Sequence, residues 1–453
     1  MRARHLTLVA LALLAACASP AVKPPPPAPG PVAPHPTPAT PPPVAPEAPS
    51  VSPVTPPAVS GDMVFDAWAM EFYGKAIKAG IPRDVLDREM AGLTPDPRVT
   101  QRDSHQPEFS QPISAYIKAA VTDGPVAKGQ RERAEIPQFA DIEQRFGVPR
   151  EILLAIWARE SAFGAIQGDF DVVRSMASLA AQGRRRDWAE GELIAALRII
   201  ATGQASRAQL KGSWAGAMGQ TQFIPSAYLS TAVDGDGDGR RDIWNSAADS
   251  LASAANLLAK GGWTPGQSWA REVTTPDDFD FSMTEGPKLT PEAWAALGVL
   301  RADGLPWTDA DKTAEAQLIA PAGASGPLFL LFPNHFVIRK YNNSVAYALA
   351  VGLLADKIAG GGPLVKPWPA ETPLSLADRM TAQRALAALG FGAGTADGIV
   401  GAGTRKALRA WQKARSLTAD GYLSPAMVQR LKTETGAADA LATPAQTAQA
   451  PPT

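Results

Sequence analysis

The chain has 453 residues, of which 45% are hydrophobic, and a formal net charge of -1. At ~100–200 residues per domain, this length suggests two or three domains plus tails. The near-neutral balance excludes nucleic-acid binding through bulk electrostatics. One cysteine excludes an internal disulfide. Of the four histidines, His5 and His35 lie outside any foldable stretch, leaving His105 and His335, which argues against a His/Cys zinc cluster.

Arg2 and Arg4 precede an apolar run from Leu6 to Leu14, too short to span a bilayer. Small residues and Cys17 follow, which is a secretory signal pattern. Leu14-Ala15-Ala16-Cys17 resembles a bacterial lipobox. That resemblance implies cleavage after residue 16, acylation of Cys17, and a periplasmic protein anchored by lipid. By analogy with lipoprotein sorting, Ala18 favours the outer membrane. An ordinary signal peptide with an incidental cysteine is the alternative. Residues 20–60 hold eighteen prolines. Such a run builds no core and favours extended polyproline II. Residues 17–60 therefore read as a lipidated cysteine and disordered tether, with a reach of roughly 100 Å if fully extended.

Helical periodicity begins near Val64, with Phe65, Trp68, Ala69, Phe72 and Ala76 at helix spacing over 64–79. Gly80 and Pro82 break it, and a second helix is expected over 83–91. Residues 92–112, with four prolines, read as loop. Pro149 suits the first turn of a further helix, ended by Gly164. On it Ile152, Ile156 and Glu160 fall at i, i+4 and i+8, flanked by Leu153 and Trp157. Glu160 thus extends an apolar face in the last turn. Burial and the negative helix end both disfavour a charged carboxylate, which suits a general acid. A structural ion pair with Arg159 or Arg145 is the alternative.

Residues 213–228 read Ser-Trp-Ala-Gly-Ala-Met-Gly-Gln-Thr-Gln-Phe-Ile-Pro-Ser-Ala-Tyr. Gly216, Ala217 and Gly219 permit close backbone approach. Gln220, Thr221 and Gln222 beside Phe223 and Ile224 mix hydrogen-bonding groups with apolar ones, as a sugar groove requires. An ordinary capped turn would explain them too.

Taken together, Trp157-Ala-Arg-Glu160-Ser161-Ala-Phe-Gly164, Gly216-Ala-Met-Gly-Gln-Thr-Gln222-Phe-Ile-Pro225-Ser-Ala-Tyr228 and Arg339-Lys-Tyr341-Asn342-Asn-Ser344-Val-Ala-Tyr347 resemble the B-type membrane-bound lytic murein transglycosylases over about residues 62–365. The resemblance implies a mainly α (α+β) fold, with a lysozyme-like catalytic core and added helical and small mixed regions. It implies Glu160 as the single catalytic carboxyl, with Ser213, Gln222, Tyr341, Asn342 and Tyr347 lining the cleft. Gln220 and Thr221 depart from some relatives. The implied reaction cleaves the glycan between N-acetylmuramic acid and N-acetylglucosamine, with Glu160 as acid and then base, forming a 1,6-anhydromuramyl end. A hydrolytic muramidase using Asp169 or Asp171 as second carboxylate is one alternative. A non-catalytic wall-binding lipoprotein is another. No cofactor is required for this chemistry.

Asp234-Gly-Asp236-Gly-Asp238-Gly239-Arg240 has the start of an EF-hand, but Asn245 stands at position twelve. Asp249 could complete a structural Ca²⁺ site with Asp234, Asp236, Asp238 and Arg240. An acidic turn neutralised by Arg240 and Arg241 is the alternative. Beyond the catalytic domain, 61–365, a Gly/Pro linker covers 366–373. Residues 374–433 show three helical stretches, and Gln383, Leu389-Gly390-Phe391, Asp397-Gly398, Gly403-Thr404-Arg405, Leu408, Trp411-Gln412 and Asp420-Gly421 resemble the three-helix peptidoglycan-binding domain. Residues 434–453 read as a disordered tail. The expected partners are glycan strands and a lipid anchor, with no nucleic acid; protein partners are not legible.

Overall fold

The computed structural model describes residues 60–104, 111–182 and 185–436. The signal segment, Cys17, the Pro-rich tether, His105 and the tail beyond 436 lie outside the described residues. Helix dominates, with eighteen α-helices and seven short strands among the described residues. No helix among them is long and apolar enough to cross a membrane.

The first core forms where Met63–Lys78 and Arg83–Met90 pack against Val172–Ala181 and Arg186–Ala201. Trp68 and Phe72 stack with ring centroids 5.2 Å apart. The Trp68 indole N–H donates to buried Glu190 at 3.1 Å, so the polar edge of a large apolar side chain is satisfied. A second core surrounds Arg150–Ser161, which packs against Val345–Ile358, Asp123–Glu135 and Ala247–Lys260. Gly352 is required there, since a Cβ would lie 2.2 Å from the Trp269 ring.

A five-stranded antiparallel sheet runs in the order Lys288–Leu289, Ala316–Ile319, Leu328–Leu331, Ala270–Thr274, Leu300–Arg301. It closes a third core around Trp294 and Phe332. Leu376–Ala388, Ala402–Ala414 and Pro425–Thr435 form a three-helix module around Leu386, Leu408 and Trp411.

Two expectations need correction. Residues 92–112 are not all loop, because Pro97–Ser104 is a helix. Pro97 opens it, where proline's fixed φ helps and its missing N–H costs nothing. The Asp96 carboxylate takes the Arg98 N–H at 3.0 Å. Pro149 is the N-cap rather than a first-turn residue, and the helix after it ends at Ser161, before Gly164. The segment expected as a linker, 366–373, is tied down at both ends. Glu272 binds the N–H groups of Val365 and Lys366, and Glu371 accepts from Ser114 N and the Tyr422 hydroxyl.

The three-helix module is fastened further by Glu285, whose carboxylate accepts from Arg405 and Arg409 at 2.6–2.9 Å. Burial pushes this carboxyl up, but Arg405 and Arg409 outweigh it and hold it below the usual glutamate range. A lowered folded-state pKa stabilises docking above the ordinary glutamate range, and that contribution is lost as pH falls through the lowered value. Glu285→Gln is therefore expected to loosen the module at neutral pH as acid does in the wild type. Faster amide exchange over residues 402–414, with the catalytic domain unchanged, is the expected readout; unchanged exchange contradicts it.

Candidate active site

Glu160 stands at the end of Arg150–Ser161, where the chain turns sharply. Ala162 and Phe163 both adopt left-handed backbone, at φ 51° and 61°. Their N–H groups return to Ala158 O and Trp157 O, so the last carbonyls are satisfied. Ser161 is buried; its hydroxyl donates to Gln220 O and accepts from Gly164 N. The end carrying Glu160 is thus pinned on its inner side while Glu160 itself stays partly exposed.

The 213–228 stretch folds against this end. Lys211–Gly212 pairs antiparallel with Phe170–Asp171, and Met218 bridges to both Gly212 and Phe223. Ser213 closes the turn: its N–H donates to Ala217 O and its hydroxyl accepts Ala217 N. Gln222 has φ 53°, and its amide nitrogen donates to Gln167 O and Gly219 O. Its Oε1 accepts nothing from the described residues and is available to a ligand.

Two tyrosines reach Glu160 from the other side. Tyr347, near the start of Val345–Ile358, donates its hydroxyl to Glu160 Oε1 at 2.5 Å. Tyr341 ends Pro333–Tyr341, packs on Phe223 and donates to Thr221 O. Burial, and then the Glu160 charge, push both phenols well above their ordinary value. Both therefore remain neutral hydrogen-bond donors at physiological pH. Asn342 lies exposed at the C-cap of the same helix and makes no side-chain hydrogen bond to the described residues.

Of the expected residues, the structure joins Tyr347 directly to Glu160, and links Tyr341 to the Gln222 turn through Thr221. Ser213 serves its own turn. Three neighbours take roles that the sequence did not assign to them. Tyr116, on Ile113–Ala120, accepts from Arg159 at 3.2 Å. Trp157 donates its indole N–H to Gln220 Oε1 at 3.0 Å. Gln220 also donates to Ile243 O and Trp244 O, tying the helix end to a distant loop. For Gln220 the available signal was its place directly after Gly219 in the polar run of that turn. Nothing in local periodicity marks Tyr116.

Three charged residues weighed as alternatives have arginine or carboxylate neighbours of their own. Arg145 pairs with Asp141 at 2.9 Å. Asp171 caps Val172–Ala181 and pairs with Arg207 at 3.0 Å. Asp169 is 82% exposed beside Arg98.

A family model for the transglycosylase SLT domain matches residues 64–356. The chain belongs to the lytic murein transglycosylase family. A second model, for a peptidoglycan binding domain, matches residues 375–431. The membrane-bound lytic murein transglycosylase B of Escherichia coli K12 is 31% identical over 224 residues, 48% of this chain and 58% of that relative. The match thus spans little more than half the length of that relative. SltB3 from Pseudomonas aeruginosa, solved with NAG-anhNAM-pentapeptide and with NAG-NAM-pentapeptide, is 44% identical with TM-score 0.78, covering 82% of this chain and 100% of its own. The Escherichia coli lytic transglycosylase SLT35 in complex with calcium is 28% identical with TM-score 0.54, over 64% of this chain and 92% of its own. These neighbours carry the lysozyme-like, mostly helical fold expected of the family.

In this family member the Asp loop brings Asp234, Asp236 and Asp249 oxygens within 4.8 Å of one another. Asp238 is not in that group; its carboxylate accepts the Arg240 N–H. Asn245 bonds Asp242 instead of turning inward. Asp249 is fully buried, and burial pushes its carboxyl up. Three converging carboxylate oxygens fit a hard, oxygen-seeking cation, whose charge would relieve that desolvation.

Proposed function

We propose that this chain is a peptidoglycan lytic transglycosylase that cleaves the bond between N-acetylmuramic acid and N-acetylglucosamine and leaves 1,6-anhydromuramyl ends. The carrying observation is the Tyr347–Glu160 hydrogen bond at the mouth of the Gln222 turn. Glu160 donates its proton to the glycosidic oxygen. The muramyl acetamido group supports the oxocarbenium-like centre. Glu160, now a carboxylate held by the Tyr347 hydroxyl, takes the proton of the muramyl C6 hydroxyl, whose oxygen closes on C1. One carboxyl acts twice and no water enters. Hydrolysis needs a second carboxylate, and the two nearest in sequence after Glu160, Asp169 and Asp171, are engaged with arginines. SltB3's NAG-anhNAM-pentapeptide complex supports the same product.

In this reading Gln222 and Asn342 meet the sugars, and Tyr341 fixes the Gln222 turn from behind. Cys17 carries the lipid anchor, on the outer membrane, and the three-helix module grips the wall. Asp234, Asp236 and Asp249 hold a structural Ca²⁺, supported by SLT35's calcium complex.

Mass spectrometry of muropeptides from digested sacculi tests the reaction. Products lighter by one water than hydrolysis products are expected; reducing muramic ends would contradict the proposal. Tyr347→Phe is expected to lower kcat about 10-fold with KM nearly unchanged, since a charge-assisted hydrogen bond is worth roughly 1.5–3 kcal/mol. Steady-state turnover of a purified glycan checks it. Adding Ca²⁺ is expected to raise the thermal midpoint, and Asp249→Asn to abolish that rise; an equal rise in both argues against the site.

A further inference from the structure

Ile113–Ala120 is an eight-residue helix that begins without a cap of its own. Its N-cap is Pro112, which has no side-chain acceptor, and its first turn holds no acidic residue. The N–H groups at a helix start need acceptors, and the helix dipole favours a carboxylate there. Ser114, in that first turn, is buried, where an unpaired N–H is costly. The acceptor comes from 257 residues along the chain: Glu371 Oε2 takes the Ser114 N–H at 3.1 Å.

Glu371 is held in turn by the C-terminal module. Its Oε1 accepts the Tyr422 hydroxyl at 2.6 Å. Burial, and then the hydrogen bond to Glu371, push that phenol above its ordinary value, so it stays a neutral donor. Two residues before Tyr422, Asp420 accepts the Ala324 N–H at 3.0 Å and fixes the loop on the catalytic domain. The segment carrying Glu371 is equally constrained. Trp368 packs on Phe329, with ring centroids 6.1 Å apart, and Pro369 and Pro373 restrict the backbone on either side.

The capped helix reaches the reacting group by two short routes. Tyr116, on that helix, accepts from Arg159 at 3.2 Å, with the guanidinium 5.3 Å from its ring centre. Arg159 immediately precedes Glu160. The helix also packs on Val345–Ile358, and Tyr116 is among the groups that push the Tyr347 hydroxyl up. Tyr347 is the donor to Glu160.

We propose that Glu371 is a positioning residue for glycan cleavage: clamped by the module's Tyr422, it caps Ile113–Ala120 and so sets Tyr116, Arg159 and Tyr347 around Glu160. The three-helix module then contributes to the cleft as well as to wall binding. The proposal rests on the reading of Glu160 as the acid/base.

The test is steady-state cleavage of a short soluble glycan, which offers no wall to grip, by the full chain well below its thermal midpoint. Glu371→Ala is expected to lower kcat about 5-fold, the size of a lost helix cap, with KM nearly unchanged. Glu371→Gln, which keeps an acceptor for Ser114, is expected to recover most of that loss. Tyr422→Phe, which releases the carboxylate without removing it, is expected to show part of it. In a Tyr116→Phe background the Glu371→Ala loss is expected to shrink, because residues that act through one another are not additive. Wild-type kcat in Glu371→Ala, even with a lower thermal midpoint, overturns the proposal, since Glu371 is then a structural cap only. The same loss in both backgrounds overturns it too. Wild-type kcat in Tyr422→Phe beside a loss in Glu371→Ala overturns the module's share in it. Failure of the acid/base reading shows separately, as full activity in Glu160→Gln.

Discussion

Glu160→Gln is expected to reduce glycan cleavage by roughly 10³–10⁴-fold, the upper range for a positioned acid/base group. The effect should fall on kcat, because in the proposed reaction the same group serves both halves. Glutamine accepts the Tyr347 hydroxyl as glutamate does, so the fold and substrate affinity should remain. Release of soluble muropeptides from sacculi, beside circular dichroism and a binding isotherm, separates the two. A Glu160→Gln protein that digests sacculi at the wild-type rate would remove Glu160 from the mechanism.

Gly212→Ala is expected to be a severely damaging single-methyl change near the cleft. A Cβ there would lie 2.0 Å from Ala217 O, which is backbone and cannot swing aside. Gly212 pairs with Phe170 and bridges to Met218, and the turn it anchors carries Ser213 and Gln222. Inserting the methyl should cost about 3 kcal/mol, the upper range for overpacking. Thermal unfolding should show the loss, and activity well below the new midpoint should fall as Gln222 is displaced. Gly203→Ala is the comparison: it has positive φ but open space, so only backbone strain opposes it.

Much of the site was legible because it is local. The helix ending at Glu160 announces itself by apolar spacing, and the 213–228 stretch by its glycines. The three-helix module shows the same clarity, with Leu386, Leu408 and Trp411 at core positions. What the sequence hid is contact between distant segments. The five-stranded sheet has three strands of four or five residues in its middle and two-residue edges, too short for an alternation signal. Pro97 was misread because proline starts helices as readily as it ends them. Gln220 and Tyr116 gain their roles only when separate segments meet, Gln220 under the Trp157 indole and Tyr116 beside Arg159.

The fastening at Glu285, Glu272 and Glu371 changes what the C-terminal module can contribute. A module on a slack chain would raise the frequency of encounters and leave the place of each cut to diffusion. Held by the Glu285 carboxylate through Arg405 and Arg409, it is expected to keep a fixed place relative to Glu160. Whatever it grips, it grips at a constant offset from the scissile bond, so the protein carries its own ruler along the strand.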